Sequence, residues 1–281
     1  GGLGVSVVEP AGDTAVADRE VFFRDALSAV RSFPGVLWAE PSHEGDRQVT
    51  PNDPIFPYQW APAAVGLTSA WNTTTGTRSV TIAVIDTGLG YTADFTGRVV
   101  YPYSIPYDTS AQWAWTDIEG HGTACAGIAA AMGNNNQGMA GAAWNVQIMP
   151  VHIADYENPD DWEAAAAFVY ATDHGADIIS FSYGFYSQSQ TMAAAVDYAV
   201  SRGVVVVAAA GNSGAGSGIV HPAAYPGVIA VGASRPSNTR CSFSSTGKEL
   251  DLVAPGEDIA TYIYKGQSTW GFAYRSGTSF S

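Results

Sequence analysis

Three side chains in this sequence are of types that cooperate in nucleophilic catalysis, and each sits among small residues. Asp86 ends the run Val80-Thr81-Ile82-Ala83-Val84-Ile85 and is followed by Thr87-Gly88. His121 stands between glycines in Glu119-Gly120-His121-Gly122-Thr123. Ser279 lies in Ser276-Gly277-Thr278-Ser279. Each alone has a plainer reading: an aspartate capping a turn, a structural histidine, a serine in a polar loop. Taken together, in the order Asp, His, Ser, they match one of the chain orders in which a carboxylate orients an imidazole that deprotonates a serine hydroxyl. The chemistry would be acyl transfer. A carboxylate at a buried strand end is costly unless something pairs with it.

The surrounding pattern supplies a frame. Apolar runs at Val80–Asp86, Val146–Ile153, Asp177–Ser182, Val204–Ala209, Val228–Ala233 and Leu252–Ala254 alternate with Ala-rich segments. The helical segments are read over Gly120–Ala131, Trp162–His174 and Gln190–Arg202. Near-continuous apolar strands separated by helices predict an α/β fold whose mostly parallel sheet is covered on both faces. Active groups in such sheets gather at the carboxyl ends of the strands. Residues 1–48 read as a separate small α+β unit, with an amphipathic helix over Asp18–Arg31 and a strand at Val36–Ala39. The polar, proline-containing stretch Pro41–Asn52 reads as a linker, so the main domain is 49–281.

Composition narrows the function. Acidic residues outnumber basic ones 26 to 12, for a net charge of −14. That balance argues against a nucleic-acid partner, since phosphate binding needs Lys and Arg. Apolar runs such as Val204–Ala210 are far short of the roughly 20 residues that span a membrane. Two cysteines, Cys125 and Cys241, make no disulfide framework and read as separate thiols.

The motifs Asp86-Thr87-Gly88, Gly120-His121-Gly122-Thr123 and Gly277-Thr278-Ser279 resemble the three signatures of the subtilisin-like (subtilase, peptidase S8) family, in its thermitase and proteinase K-like branch. The resemblance runs from Pro51 to Ser281. It implies a three-layer α/β/α fold and a secreted, monomeric serine endopeptidase of broad specificity that acts on polypeptides without a catalytic cofactor. Asn212, in Ala209-Ala210-Gly211-Asn212, would donate to the oxyanion. Ser182-Tyr183-Gly184 and Ala209-Ala210-Gly211 would line the substrate cleft, although Phe185 replaces a second family glycine. Walls built of backbone and small residues imply a preference for apolar or aromatic P1 residues. Asp53, Asp94 and Asn135 match a structural calcium site. Cys125 matches a buried thiol beneath the histidine, and Ala124 replaces a second histidine usual in the family. Tyr225-Pro226 resembles a turn whose X–Pro bond is cis.

Residues 1–48 resemble the second half of the family's propeptide, an inhibitor and folding chaperone whose last strand would be Val36–Pro41. Cleavage would fall between Arg47 and Asn52, making the chain a zymogen. The family continues past its serine in a long buried helix, so the parent gene is expected to continue past Ser281. Two other readings stand beside this one. Asp-Thr-Gly is also the triplet of aspartic proteases, but those need two such carboxylates and no second triplet occurs. A binding protein without catalysis could use the same fold.

Overall fold

The computed structural model describes residues 25–32, 34, 36, 49–155 and 158–281. The chain divides into two compact units, Gly1–Arg47 and Gln48–Ser281. In the first, residues 25–31 are helical, within the helix expected over Asp18–Arg31. The rest of that helix, and the expected strand beyond Val36, lie outside the described residues.

The second unit is built on a seven-stranded sheet, and all six expected runs form strands in it. These are β1 (Thr81–Asp86), β3 (Gln147–His152), β4 (Ile178–Phe181), β5 (Val205–Ala209), β6 (Val228–Ser234) and β7 (Leu252–Pro255). The two-residue β2 (Tyr103–Ser104) joins them, too short to leave a pattern in the sequence. The order is β2-β3-β1-β4-β5-β6-β7, and every pairing is parallel. All six residues of β1 are buried, as a central strand covered on both faces requires.

Alternation along β1 sends its side chains into two cores. Ala83 and Ile85 meet Phe168 and Val196 of helices α2 (Asp161–Asp173) and α3 (Gln190–Ser201). Ile82 and Val84 face Cys125 and Ala126 of helix α1 (His121–Ala130). The caps show why α2 and α3 start where they do. Asp160 and Glu163 form a capping box on α2, and Ser189 Oγ accepts from Met192 N on α3.

One element was not foreseen. β8 (Ile259–Tyr264) and β9 (Trp270–Arg275) form an antiparallel hairpin that packs on α1. Thr261 Oγ1 donates to Ala124 O at 2.8 Å. Alternating aromatics, Tyr262, Tyr264, Trp270 and Phe272, around a Gly-Gln-Ser turn were the available signal.

The cis bond is also elsewhere than expected. It joins His221 to Pro222, not Tyr225 to Pro226. Pro226 instead enters a turn in which Val228 N donates to Tyr225 O and Gly227 takes φ +83°, an arrangement that a trans proline at the second position favours.

Candidate active site

Asp86, the last residue of β1, is 1% exposed. Its Oδ1 accepts from Thr87 N at 2.8 Å and lies 2.7 Å from His121 Nδ1. His121 opens α1 directly after Gly120, whose φ of +105° turns the chain into the helix. A Cβ at Gly120 would come within 3.0 Å of Tyr264 N, so the turn needs glycine on two counts. With Nδ1 held by Asp86, Nε2 is the nitrogen left to take a proton. Burial alone would lower the pKa of His121. The charge and hydrogen bond of Asp86 outweigh it, and the value stands well above that of an ordinary histidine.

Ser279 sits in a single 3-10 turn, Thr278–Phe280, just past Gly277. Its Oγ donates to Ser182 O at 3.3 Å, and Ser182 Oγ donates back to Ser279 O at 3.3 Å. The structure therefore pairs Asp86 with His121 directly, while the hydrogen bond of the serine hydroxyl goes to Ser182 rather than to the imidazole. Catalytic hydrogen bonds often tighten only once substrate is bound. Cys125 links the two halves: its Sγ is 3.9 Å from His121 Nδ1 and 3.4 Å from Ser279 O. Burial pushes this thiol up in pKa, and the His121 charge opposes the rise. The Phe280 ring lies 5.5 Å from that of His121.

Asn212 follows β5 and Gly211. Its Oδ1 accepts from Thr278 N at 2.9 Å and from Thr278 Oγ1 at 3.1 Å. The carbonyl end of the amide is thus occupied by the residue before Ser279, which leaves the NH2 end as the donor. Ser182–Gly184 and Ala209–Gly211 extend the carboxyl ends of the adjacent strands β4 and β5.

One residue that the sequence reading passed over ties these pieces together. Asp117 is 1% exposed and accepts five hydrogen bonds. Oδ1 takes Thr87 Oγ1 at 3.0 Å, Glu119 N at 3.0 Å and Gly120 N at 2.7 Å. Oδ2 takes Thr123 N at 2.9 Å and Thr123 Oγ1 at 2.5 Å. One carboxylate therefore fixes the residue after Asp86 and the residue before His121. Burial raises its pKa and these hydrogen bonds oppose the rise.

The profile of the subtilase family, peptidase S8, matches residues 77–281. The chain belongs to the subtilase family. It is 40% identical over 261 residues to a thermophilic serine proteinase of Bacillus sp. strain AK1, covering 91% of this chain and 62% of that protein. It is 38% identical to thermitase of Thermoactinomyces vulgaris, covering 83% of this chain and 81% of thermitase. A solved protease structure from Pseudoalteromonas arctica superposes with a TM-score of 0.75 at 27% identity, covering 83% of this chain and 84% of its own. The subtilase fold, with its parallel sheet of seven strands, is therefore that of the chain.

Subtilases commonly hold calcium, and the residues expected to bind it here are brought together. Asp53 is 2% exposed and Asp94 0%. Asp53 accepts from Asn134 N and Asn135 N at 2.6 and 3.1 Å. Asp94 accepts from Asn135 Nδ2 at 2.8 Å, Met139 N at 3.0 Å and Tyr262 Oη at 2.5 Å. Among the described residues neither carboxylate has an ion-pair partner. Burial raises the pKa of Asp94, those hydrogen bonds oppose this, and the Asp53 charge adds to the rise. Asn134 and Asn136 curl the loop with φ of +59° and +61°. A Cβ on Gly138 would fall 2.0 Å from Asp94 Oδ2, so the loop can pack its backbone this closely on the carboxylate only with glycine there. Two buried carboxylates without an ion-pair partner, beside an amide, are a donor set that suits a hard cation.

Proposed function

We propose that this chain is the catalytic part of a secreted serine endopeptidase that cleaves polypeptides through an acyl-enzyme. The observation that carries the reading is the convergence of the Asp86–His121 pair, Ser279 and the Asn212 amide at the carboxyl ends of β1, β4 and β5. Ser279 Oγ attacks the scissile carbonyl, and His121 Nε2 takes the hydroxyl proton. His121 then gives that proton to the leaving amine. Asp86 holds the imidazole in the tautomer with its proton on Nδ1 and stabilises the cation that forms. As charge builds on the carbonyl oxygen, the Asn212 NH2 and the Ser279 N–H donate to it. Water then repeats the sequence on the acyl-enzyme and releases the acid.

The backbone of Ser182–Gly184 would pair with the substrate chain, giving affinity largely independent of side chains. Asp53, Asp94 and Asn135 would hold a calcium ion with a structural role, and no cofactor takes part in the reaction. Residues 1–48 would be the end of an inhibitory propeptide removed by cleavage between Arg47 and Asn52, and the mature enzyme would act as a monomer. A relative described as an extracellular serine protease, from Natrialba magadii, supports secretion. No described helix is long and apolar enough to cross a membrane.

The test is labelling of the active enzyme with a small fluorophosphonate, beside Ser279→Ala. Labelling that disappears in the variant supports the assignment. Labelling that survives it refutes the nucleophile.

A further inference from the structure

The two wall segments of the cleft are kept open by glycines, yet the space between them is filled. Val220 is 8% exposed, and its N–H donates to Ala210 O at 3.2 Å. A Cβ on Gly184 would lie 2.3 Å from Val220 Cγ2, and one on Gly211 would lie 3.0 Å from Val220 Cγ1. The isopropyl group therefore occupies the gap between the β4 and β5 extensions, against the faces where both walls lack side chains.

Two further contacts fix this arrangement. Phe185 N donates to His221 O at 2.8 Å and His221 N to Phe185 O at 2.9 Å, which straps the segment after Gly184 to the residue after Val220. Beyond the glycines, Tyr186 Oη lies 3.1 Å from Ser213 Oγ, joining the two walls at their far end. A valine floor and a tyrosine–serine tie leave little depth for a side chain. The expectation of an apolar or aromatic P1 residue was drawn from the walls alone.

We infer that Val220 is a specificity-determining residue that limits P1 to small side chains, glycine, alanine or serine, in the substrate of this enzyme. The inference rests on the serine endopeptidase reading and adds to it the class of bond cut. Closely packed apolar atoms cannot make way for an aromatic ring without displacing the strand ends that carry Asn212 and Ser182.

The experiment compares tetrapeptide p-nitroanilides that differ only in alanine or phenylalanine at P1, on the active enzyme. Pocket discrimination of this kind is roughly 10- to 200-fold in kcat/KM, so alanine should lead by that factor. Val220→Gly should raise kcat/KM for phenylalanine by roughly tenfold or more and leave alanine within a few fold. Val220→Ala should fall between, and it serves if the glycine variant does not fold. Fluorophosphonate labelling reports that each variant is assembled. Equal turnover of both peptides by a labelled wild-type enzyme would overturn the inference alone. So would an unchanged ratio in a labelled variant. No labelling and no turnover would take down the endopeptidase reading with it.

Discussion

Replacing Asp117 by asparagine keeps the shape of the side chain and removes one acceptor and the charge. The better orientation keeps the oxygen where three donors meet, from Thr87, Glu119 and Gly120. The new NH2 then faces Thr123 N–H and Oγ1, now 2.9 and 2.5 Å away. The hydroxyl can rotate to accept, but the buried Thr123 N–H cannot. Leaving one such donor unpaired costs about 1–3 kcal/mol, and hydrogen bonds to a charged group are each worth about 1.5–3 kcal/mol. Relief from burying the charge offsets part of this, because burial already raises the pKa of Asp117. A net loss of about 2–3 kcal/mol lowers Tm by roughly 5–10 °C in a domain of this size. Since the same carboxylate places Thr87 and Gly120, Asp86 and His121 should lose alignment. Displacements near 1 Å cost up to about 100-fold in rate, so kcat should fall roughly 10- to 100-fold with little change in KM. Differential scanning fluorimetry and steady-state peptide hydrolysis measure both. An Asp117→Asn enzyme with wild-type kcat would show that this carboxylate does not position the pair, and wild-type Tm would remove the energetic argument too.

Three further outcomes are expected. Because the pKa of His121 is raised and catalysis needs the neutral ring, kcat/KM should fall as pH drops through a value above that of ordinary histidine. Removing the charge in Asp86→Asn should move that limb to lower pH and reduce kcat by roughly 10⁴; the same raised value favours the folded state at pH below the unfolded histidine value, an advantage lost as pH rises through the folded one. Asn212→Ala should lower kcat by about 10²–10³, equivalent to about 2.7–4 kcal/mol, and should also lower Tm by a few degrees, because the buried Thr278 N–H loses its acceptor. Chelation should lower Tm by roughly 5–10 °C, the linkage effect of about 2.7 kcal/mol at a calcium concentration near 100 Kd. Asp94→Asn should abolish the difference between calcium and chelator, and a Tm indifferent to chelation in the wild type would remove the metal from the account.

The motifs around Asp86, His121 and Ser279 were legible in the sequence because each is confined to a few neighbouring residues. Asp86 must end a strand and His121 must begin a helix, and glycines that permit those turns stand beside them in the chain. The strands were legible because burial on both faces demands unbroken apolar runs, as in Thr81–Asp86. Asp117 was not, because its role exists only once Thr87 and Thr123 are brought to it. Val220 was hidden for a related reason. In Gly218-Ile219-Val220-His221 it reads as one more apolar residue, and only the closeness of two glycines from other strands shows that it fills a cleft. The β8–β9 hairpin escaped because Tyr264 and Trp270, at its turn end, are partly exposed aromatics, and they break the all-apolar rule that exposed the central strands.

Strand β8 reaches in two directions through consecutive residues. Thr261 Oγ1 grips the carbonyl of Ala124 in the helix that His121 begins, and Tyr262 Oη grips Asp94 in the carboxylate loop. Loosening the loop therefore pulls on a helix whose first residue, His121, is the proton acceptor of the proposed mechanism. A disturbance that starts at the carboxylate loop would reach the His121 helix through this strand as well as through the neighbouring loop, before the sheet itself came apart.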